Sequence, residues 1–452
     1  MTPTILLINP WIYDFAAYDL WSKPLGLLYL AGYLRRMGFN ARMIDCLSVN
    51  HPGMTPSPSM NPPKRRSYGT GKFWKEKILR PAPLKHVQRT YSRYGITRQL
   101  FIKELEKIKK PSAILVTSLM TYWYPGVNEA IKVAKEVHPG VPVILGGIYA
   151  RLCSQHASQF SGSDYIANEV TLDSLKSLLD IMQRFGILLP GDIPNEADPA
   201  FPAFDLLGKI EYVCILTSIG CPYRCHYCAS SILYPKFSRR DPQDVVDEIA
   251  YWHGYGIMDF AFYDDALLVD SDRHIGPILE GIVRRDLNIR FHTPNALHVR
   301  EISPDIARLI HLSGFRTIRL GLETSDLDWH DVMDKKVSEG EFERAVHNLK
   351  KAGYNKRDIG TYILMGLPGQ SVDSICRTIR FVDSIGAVPY LAEYSPLPNT
   401  PLWEEALASS CYDLANEPLF HNNSLLPCWE DSQRQRVSEL KKMAREIRQS
   451  DM

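Results

Sequence analysis

Strand-like and helix-like segments alternate along this chain in two successive runs. That alternation restricts it to folds built on parallel sheets. Residues 4–9, TILLIN, read as a buried strand, and 24–37, PLGLLYLAGYLRRM, as a helix that Gly38 stops. ARMIDC at 41–46 and SAILVTSL at 112–119 read as further strands. A helix over 126–137 follows, then VPVIL at 141–145 running into Gly146-Gly147. Ligands of such open sheets sit outside the carboxyl ends of the strands. The second run begins near 211. YVCILTS (212–218), MDFAFYDD (258–265), IRFHTPN (289–295), FRTIRLGLET (315–324), IGTYILMGLPG (359–369) and AVPYLAEYSP (387–396) recur at βα intervals. The expected fold class is therefore α/β: an open parallel, Rossmann-like sheet, then a partial (β/α)6 barrel of TIM type. Barrel chemistry sits at the C-terminal ends of the strands.

The expected domains are 1–185, a linker over 186–210, a barrel over 211–404 and a helical cap over 405–452. The linker is marked by Gly186, Pro190, Gly191, Pro194, Pro199 and Pro202. An insertion over 48–103 interrupts the first domain. It opens Pro-rich, and its 64–103 part holds twelve Lys/Arg against one acid, Glu76, with Tyr68, Phe73, Trp74, Tyr91, Tyr94 and Phe101 interleaved. One reading is a surface for an anionic partner such as RNA. The other is a solvated helical lid packed by its aromatics, and we prefer it because a basic run alone is weak evidence.

Composition excludes several classes. With net charge +1 there is no global bias toward nucleic acid or membrane. No apolar stretch reaches the length of about 18 residues that a spanning helix needs. The start, MTPTILLINP, lacks the basic opening of a signal peptide. Nine Cys, an odd number without a disulfide pattern, fit a reducing compartment, so cytoplasm is expected.

The sharpest motif is CPYRCHYC, which places thiols at Cys221, Cys225 and Cys228. Thiolates favour soft metals and iron–sulfur clusters. A 4Fe–4S cluster usually takes four Cys ligands, so three leave one iron open to a small molecule. The competing reading is structural zinc, which usually needs a fourth ligand and paired C-x2-C units. His226 lies inside the loop, but no second C-x2-C exists. Other strand ends of the second run also carry chemistry. Tyr263, Asp264 and Asp265 end the second strand, where two acids could hold an ammonium group or cap a helix. Glu323 ends the fourth. Gly366 and Gly369 end the fifth, for close approach of a flat ligand or simply for a turn.

The cysteine loop, with Tyr227 before its last Cys, resembles the signature of radical S-adenosylmethionine (radical SAM) enzymes. The resemblance implies a 4Fe–4S cluster whose open iron binds SAM and, when reduced, cleaves it to methionine and a 5′-deoxyadenosyl radical. It places Tyr227 on the adenine side, the Asp264/Asp265 region at the methionine amine, Glu323 at ribose or amine, and Gly366 and Gly369 near adenine. The family's usual glycine-rich amine motif is replaced here by YDDA. Arg316 and Arg319 face opposite sides of a strand, and Arg319, nearer its end, is preferred for the methionine carboxylate.

The first domain resembles the cobalamin-binding domain of one radical SAM subfamily. VTSLMTYWYPGV (116–127) and ILGGIYA (144–150) fall where such domains approach the nucleotide tail, which implicates Thr117, Ser118, Gly146 and Gly147. Tyr122, Trp123 and Tyr124 could stack on the corrin or pack internally. The D-x-H-x-x-G loop that supplies a lower-axial His is replaced by NPWIYDFAAYDLW, as in many members of the subfamily. The resemblance implies cobalamin-dependent methyl transfer to an unactivated carbon or phosphorus. The alternative within enzymes is a radical cyclisation or rearrangement, and the rival from another class is a cluster-bearing RNA-binding protein. Expected partners are a small-molecule or natural-product substrate and a low-potential electron donor such as flavodoxin or ferredoxin. Neither nucleic acid nor a membrane span is expected.

Overall fold

The computed structural model describes residues 2–58, 60–168, 172–192 and 200–450, without the side chains of 172–174. The chain divides into two compact units: Met1–Glu211 with Asn416–Leu419, and Tyr212–Ala415 with Phe420–Met452.

In the first unit five strands form one parallel sheet: β1 (Thr4–Asn9), β2 (Asn40–Asp45), β3 (Ala113–Val116), β4 (Val143–Leu145) and β5 (Tyr165–Ile166). Their order is β2-β1-β3-β4-β5, the flavodoxin-like doubly wound arrangement, in which the strand order reverses between β1 and β3. Burial on both faces explains the continuous apolar runs: Ile5 to Ile8, Ala113 and Ile114 expose nothing. The first helix spans Leu25–Arg36, and Gly38 turns the chain at φ +86 just beyond it. Part of the expected linker packs on this helix: the Ala203 amide donates to Leu28 O at 2.9 Å, and Asp205 pairs with Arg35 at 2.8 Å. Pro194 and Pro199 lie outside the described residues.

The insertion is not a helical lid. Lys75–Lys77 and Ser92–Tyr94 join Ile12–Asp14 in a three-stranded antiparallel sheet, and one helix, Arg98–Glu106, follows. Its aromatics form core: Phe73, Trp74, Tyr91, Tyr94 and Phe101 are all buried. Arg93 is buried as well, paired with Glu76 at 2.5 Å and Glu129 at 3.6 Å. Helical periodicity is missing from this segment, so aromatic content alone could not tell strand from helix.

The second unit is an open parallel barrel. Its strands are β6 (Val213–Ile215), β7 (Asp259–Phe262), β8 (Arg290–His292), β9 (Leu297–His298), β10 (Phe315–Glu323), β11 (Ile359–Met365) and β12 (Val388–Glu393). Six follow one another around the sheet in chain order, and the short β9 pairs with β10. Their connecting helices start on strong signals. Asp241 caps Pro242–Gly254, Ser303 caps Pro304–Leu312 and Ser371 caps Val372–Ile385, each by a side-chain bond to a first-turn amide. The tail forms helices Asp431–Gln435 and Val437–Ser450, and Arg448 donates to Pro389 O of β12 at 2.8 Å. No described helix is long and apolar enough to cross a membrane.

Candidate active site

The cysteine loop leaves β6 through a buried clamp. Asp264, at the end of β7, accepts from the Thr217 amide at 3.0 Å and hydroxyl at 2.7 Å. It also accepts from the Ser218 amide and hydroxyl, each at 2.6 Å. His274 Nε2 lies 2.9 Å from the Thr217 hydroxyl, whose proton goes to Asp264, so His274 is the donor there. Burial raises the pKa of Asp264, and these donors oppose the rise. Neighbouring Asp265 is only half-buried and also raised by burial. The two acids proposed for one amine therefore differ in kind. Asp264 is spent on orienting the loop, whereas Asp265 meets the Ser230 side chain.

Gly220 then turns the chain at φ +82, with a Cβ position 2.9 Å from Lys236 O, so a side chain there would clash with backbone. Cys221 and Cys228 are half-buried, and Cys225 is buried. All nine cysteines are free thiols. Burial pushes Cys221 up to about 11 and Cys225 up to about 12, opposed in both by the charge of Lys336. Thiols so desolvated ionise at neutral pH only when a cation takes their charge, which is what bound iron does. Among the described residues no three His, Cys, Asp or Glu are grouped to hold a single metal ion.

Beside the loop lies a charged network. The Tyr227 hydroxyl donates to Asp334 at 3.0 Å and accepts from Lys336 Nζ at 3.2 Å, while its ring stacks on Trp329 at 5.9 Å. Asp334 is held by His330 at 2.8 Å, and the other nitrogen of His330 faces Thr324 O at 3.0 Å. Lys336 lies 3.9 Å from Glu323. Burial alone would weaken the proton affinity of Lys336, but Glu323, Cys225, Asp334 and Cys228 raise it on balance, so this half-buried residue stays cationic. Glu323 is 7% exposed, and burial raises its pKa against the pull of Lys336. It also adopts φ +63, a left-handed conformation that costs a non-glycine residue roughly 1 kcal/mol or more. A bulge between Gly321 and Glu323 sets this turn, and the bare Gly321 leaves room for the carboxylate. A strained, desolvated acid beside a half-buried cation is the pattern expected of a functional site.

The remaining barrel residues separate. Arg319 is in mid-strand, four residues and about 13 Å before Glu323 at the usual rise per residue. Its guanidinium stacks 4.2 Å from the Tyr390 ring, so it belongs to the barrel floor rather than to the strand end. Gly366 opens a turn that Gln370 closes, accepting from the Gly366 amide at 3.0 Å, while Gly369 has nothing near its Cβ position.

At the ends of β3 and β4 the outcome also divides. The Ser118 hydroxyl donates to Gly146 O at 2.7 Å and accepts from the Ala150 amide at 3.3 Å, so it braces two strands. Gly147, at φ +94, has its Cβ position 2.2 Å from Ser118 O; its own chain fills the space expected for a nucleotide. Gly146 differs: among the described residues no atom comes nearer than 3.8 Å to its Cβ position, and its amide donates to Val116 O, next to half-buried Thr117. The aromatic run is tied down internally: Trp123 donates to Asp14 at 2.8 Å, and Tyr124 donates to Glu417 at 3.0 Å while stacking on Tyr149.

Lys336, Asp334, His330 and the buried His298 were not visible as site residues in the sequence. The one available signal was the four-residue spacing of His330 and Asp334, which places them together on a helix face. Lys336 sits in DKKVS, which reads as ordinary surface.

Fold and site together define a barrel enzyme with a three-thiol loop at the carboxyl end of its first strand, preceded by a flavodoxin-ordered sheet. Residues 215–382 match the radical SAM superfamily, so the barrel carries a radical SAM domain. It is 24% identical over 350 residues to an uncharacterised methyltransferase of Pyrococcus horikoshii, covering 70% of this chain and 74% of that protein. It is 24% identical over 280 residues to the bacteriochlorophyllide d C-12(1)-methyltransferase of Chlorobaculum tepidum, covering 59% of this chain and 60% of that protein. The structure of the radical SAM methyltransferase TsrM from Kitasatospora setae, with cobalamin and a [4Fe-4S] cluster bound, matches at TM-score 0.63 and 16% identity. That match covers 91% of this chain and 76% of TsrM.

Proposed function

We propose that this chain is a cobalamin-dependent radical SAM methyltransferase acting on an unactivated carbon or phosphorus of a small molecule. The observation that carries the reading is the loop of three free thiols at the end of β6, clamped by Asp264 and faced by the half-buried cation Lys336. Cys221, Cys225 and Cys228 would hold a 4Fe–4S cluster. Asp265 would hold the SAM ammonium group, and Glu323 its ribose or amine. Thr117 and Gly146, at the carboxyl ends of β3 and β4, would border cobalamin. When bound, the cluster with SAM supplies a 5′-deoxyadenosyl radical and cobalamin supplies the methyl group. The protein contributes position and a dry, charged surround. A low-potential donor such as flavodoxin or ferredoxin would deliver the electron. Named methyltransferases among the relatives and the cobalamin-bound neighbour support this reading.

The test is anaerobic reconstitution. About four irons with matching sulfide are expected per chain, with 5′-deoxyadenosine formed from SAM on reduction. Stoichiometric zinc without sulfide would overturn the reading. Hydroxocobalamin should be retained in equilibrium dialysis, with a spectrum free of a protein nitrogen ligand. If it is not retained, methyl transfer gives way to cyclisation or rearrangement.

A further inference from the structure

His298 is 6% exposed, yet among the described residues neither ring nitrogen has a hydrogen-bond partner. Buried polar groups in proteins are almost always partnered, because an unpaired one loses its bonds to water without replacement. An imidazole with two such atoms is therefore built for a partner that the chain does not supply.

Its position says where that partner sits. His298 ends β9 and pairs with Gly321 of β10, just before Glu323. Its ring stacks on Tyr223 at 4.7 Å and 22°, and Tyr223 lies between Cys221 and Cys225 in the thiol loop. The Tyr223 hydroxyl is directed to Glu301 at 3.4 Å, which leaves its ring as the face that meets His298. The charges that His298 feels are Lys336, Arg300 and Asp334. Asp334 is already committed to His330 and Tyr227, and Arg300 to Lys335 O and Glu341. Burial and the two cations push the imidazole pKa down to about 3, so the ring is neutral and carries one N–H donor. A neutral donor beside a fixed ammonium suits an anionic acceptor.

We propose that His298 donates a hydrogen bond to an anionic acceptor of the cofactor assembly at the Cys221–Cys225–Cys228 loop. The acceptor is either a cluster sulfur or a carboxylate oxygen of SAM. The proposal rests on the cluster assignment made above. The Tyr223 stack fixes the plane of the ring, and β9 fixes its height in the barrel. The contact thus sets how the loop and its load are held.

The experiment uses full-length, anaerobically reconstituted protein and the variants His298→Phe and His298→Gln. The Phe variant keeps a ring to stack on Tyr223 but has no nitrogen, and the Gln variant restores an N–H donor. Iron content and melting temperature of His298→Phe should match wild type. If the acceptor is a cluster sulfur, the SAM-free midpoint potential of His298→Phe, read by EPR-monitored titration, should fall. A tenfold loss in relative affinity for the electron is about 59 mV for one electron. The fall follows because a donor stabilises the more negative, reduced cluster. If the acceptor is on SAM, that potential stays put and the SAM dissociation constant rises about tenfold, for loss of one charge-assisted bond. His298→Gln should recover part of whichever shift appears. Wild type with a cluster, and a Phe variant unchanged in both potential and SAM affinity, would overturn the proposal and leave His298 to a buried water. Wild type without iron would overturn the cluster assignment and this inference together.

Discussion

The strand ends of the barrel and those of the first sheet are built on opposite principles. At the barrel mouth the side chains are charged, desolvated and strained: Glu323 at φ +63, Lys336 held cationic, His298 without a partner. At the ends of β3 and β4 the corresponding groups satisfy one another. Ser118 bridges Gly146 and Ala150, and Gly147 packs on Ser118 backbone. The first arrangement leaves charge and backbone strain at the strand ends, the pattern expected of a functional site. The second is stable by itself and offers a ligand mainly space, at Gly146. A ligand held by charge and a ligand held by shape should respond differently to mutation, and that difference can be tested.

The largest effect is expected at Cys225, the buried thiol of the loop. Cys225→Ala should abolish the cluster and all SAM cleavage, measured as iron content and 5′-deoxyadenosine, while leaving cobalamin retention intact. Loss of cobalamin as well would mean that the two regions are not independent.

Next comes a contrast within the first sheet. Gly147→Leu adds left-handed strain and drives a side chain into Ser118, and should cost about 3 kcal/mol or more of stability. Gly146→Leu should leave the melting temperature nearly unchanged and block cobalamin in equilibrium dialysis. If Gly146→Leu still binds cobalamin at wild-type affinity, space at β4 is not what the ligand uses.

The paired acids sharpen the same comparison inside the barrel. Asp264→Asn puts an amide among four donors and should destabilise the second unit by about 3 kcal/mol. Asp265→Asn should spare stability and weaken SAM binding by about 1.5–3 kcal/mol, one charge-assisted bond. Denaturant midpoints and SAM dissociation constants read the two effects separately. A reversed pattern would exchange their roles.

The smallest effect is a pH dependence from His330 and Asp334. Burial alone would favour the neutral form of each. Their mutual hydrogen bond wins, so His330 is raised above its ordinary 6.5 and Asp334 lowered below its ordinary 3.8. A lowered acid stabilises the fold above its ordinary value and loses that contribution as pH falls through the folded value. A raised histidine stabilises below its ordinary value and loses that contribution as pH rises through the folded one. The pair therefore helps most between about pH 4 and 6.5. The stability difference between wild type and His330→Asn, followed by chemical denaturation across pH, should peak in that window. A flat difference would show that the pair is not ionised as drawn.

What the sequence by itself determined is local or periodic. Apolar runs at βα intervals placed the parallel strands of both units, because a strand buried on both faces must be apolar throughout. The thiol loop was legible because its three cysteines lie within eight residues. Only the tertiary structure decided the rest. Lys336 and His298 reach the loop from segments that follow β10 and β8, and no spacing rule connects them to Cys225. Asp264 and Asp265, adjacent in sequence, were parted by which of them met the amides of Thr217 and Ser218. Arg319 fell to the barrel floor because β10 runs on to Glu323. Gly146 and Gly147 look alike in the sequence, yet one has room for a Cβ and the other meets a backbone oxygen at 2.2 Å. Composition and periodicity record what each residue prefers. Which neighbour satisfies it depends on contacts between distant segments, and those exist only once the sheets have closed.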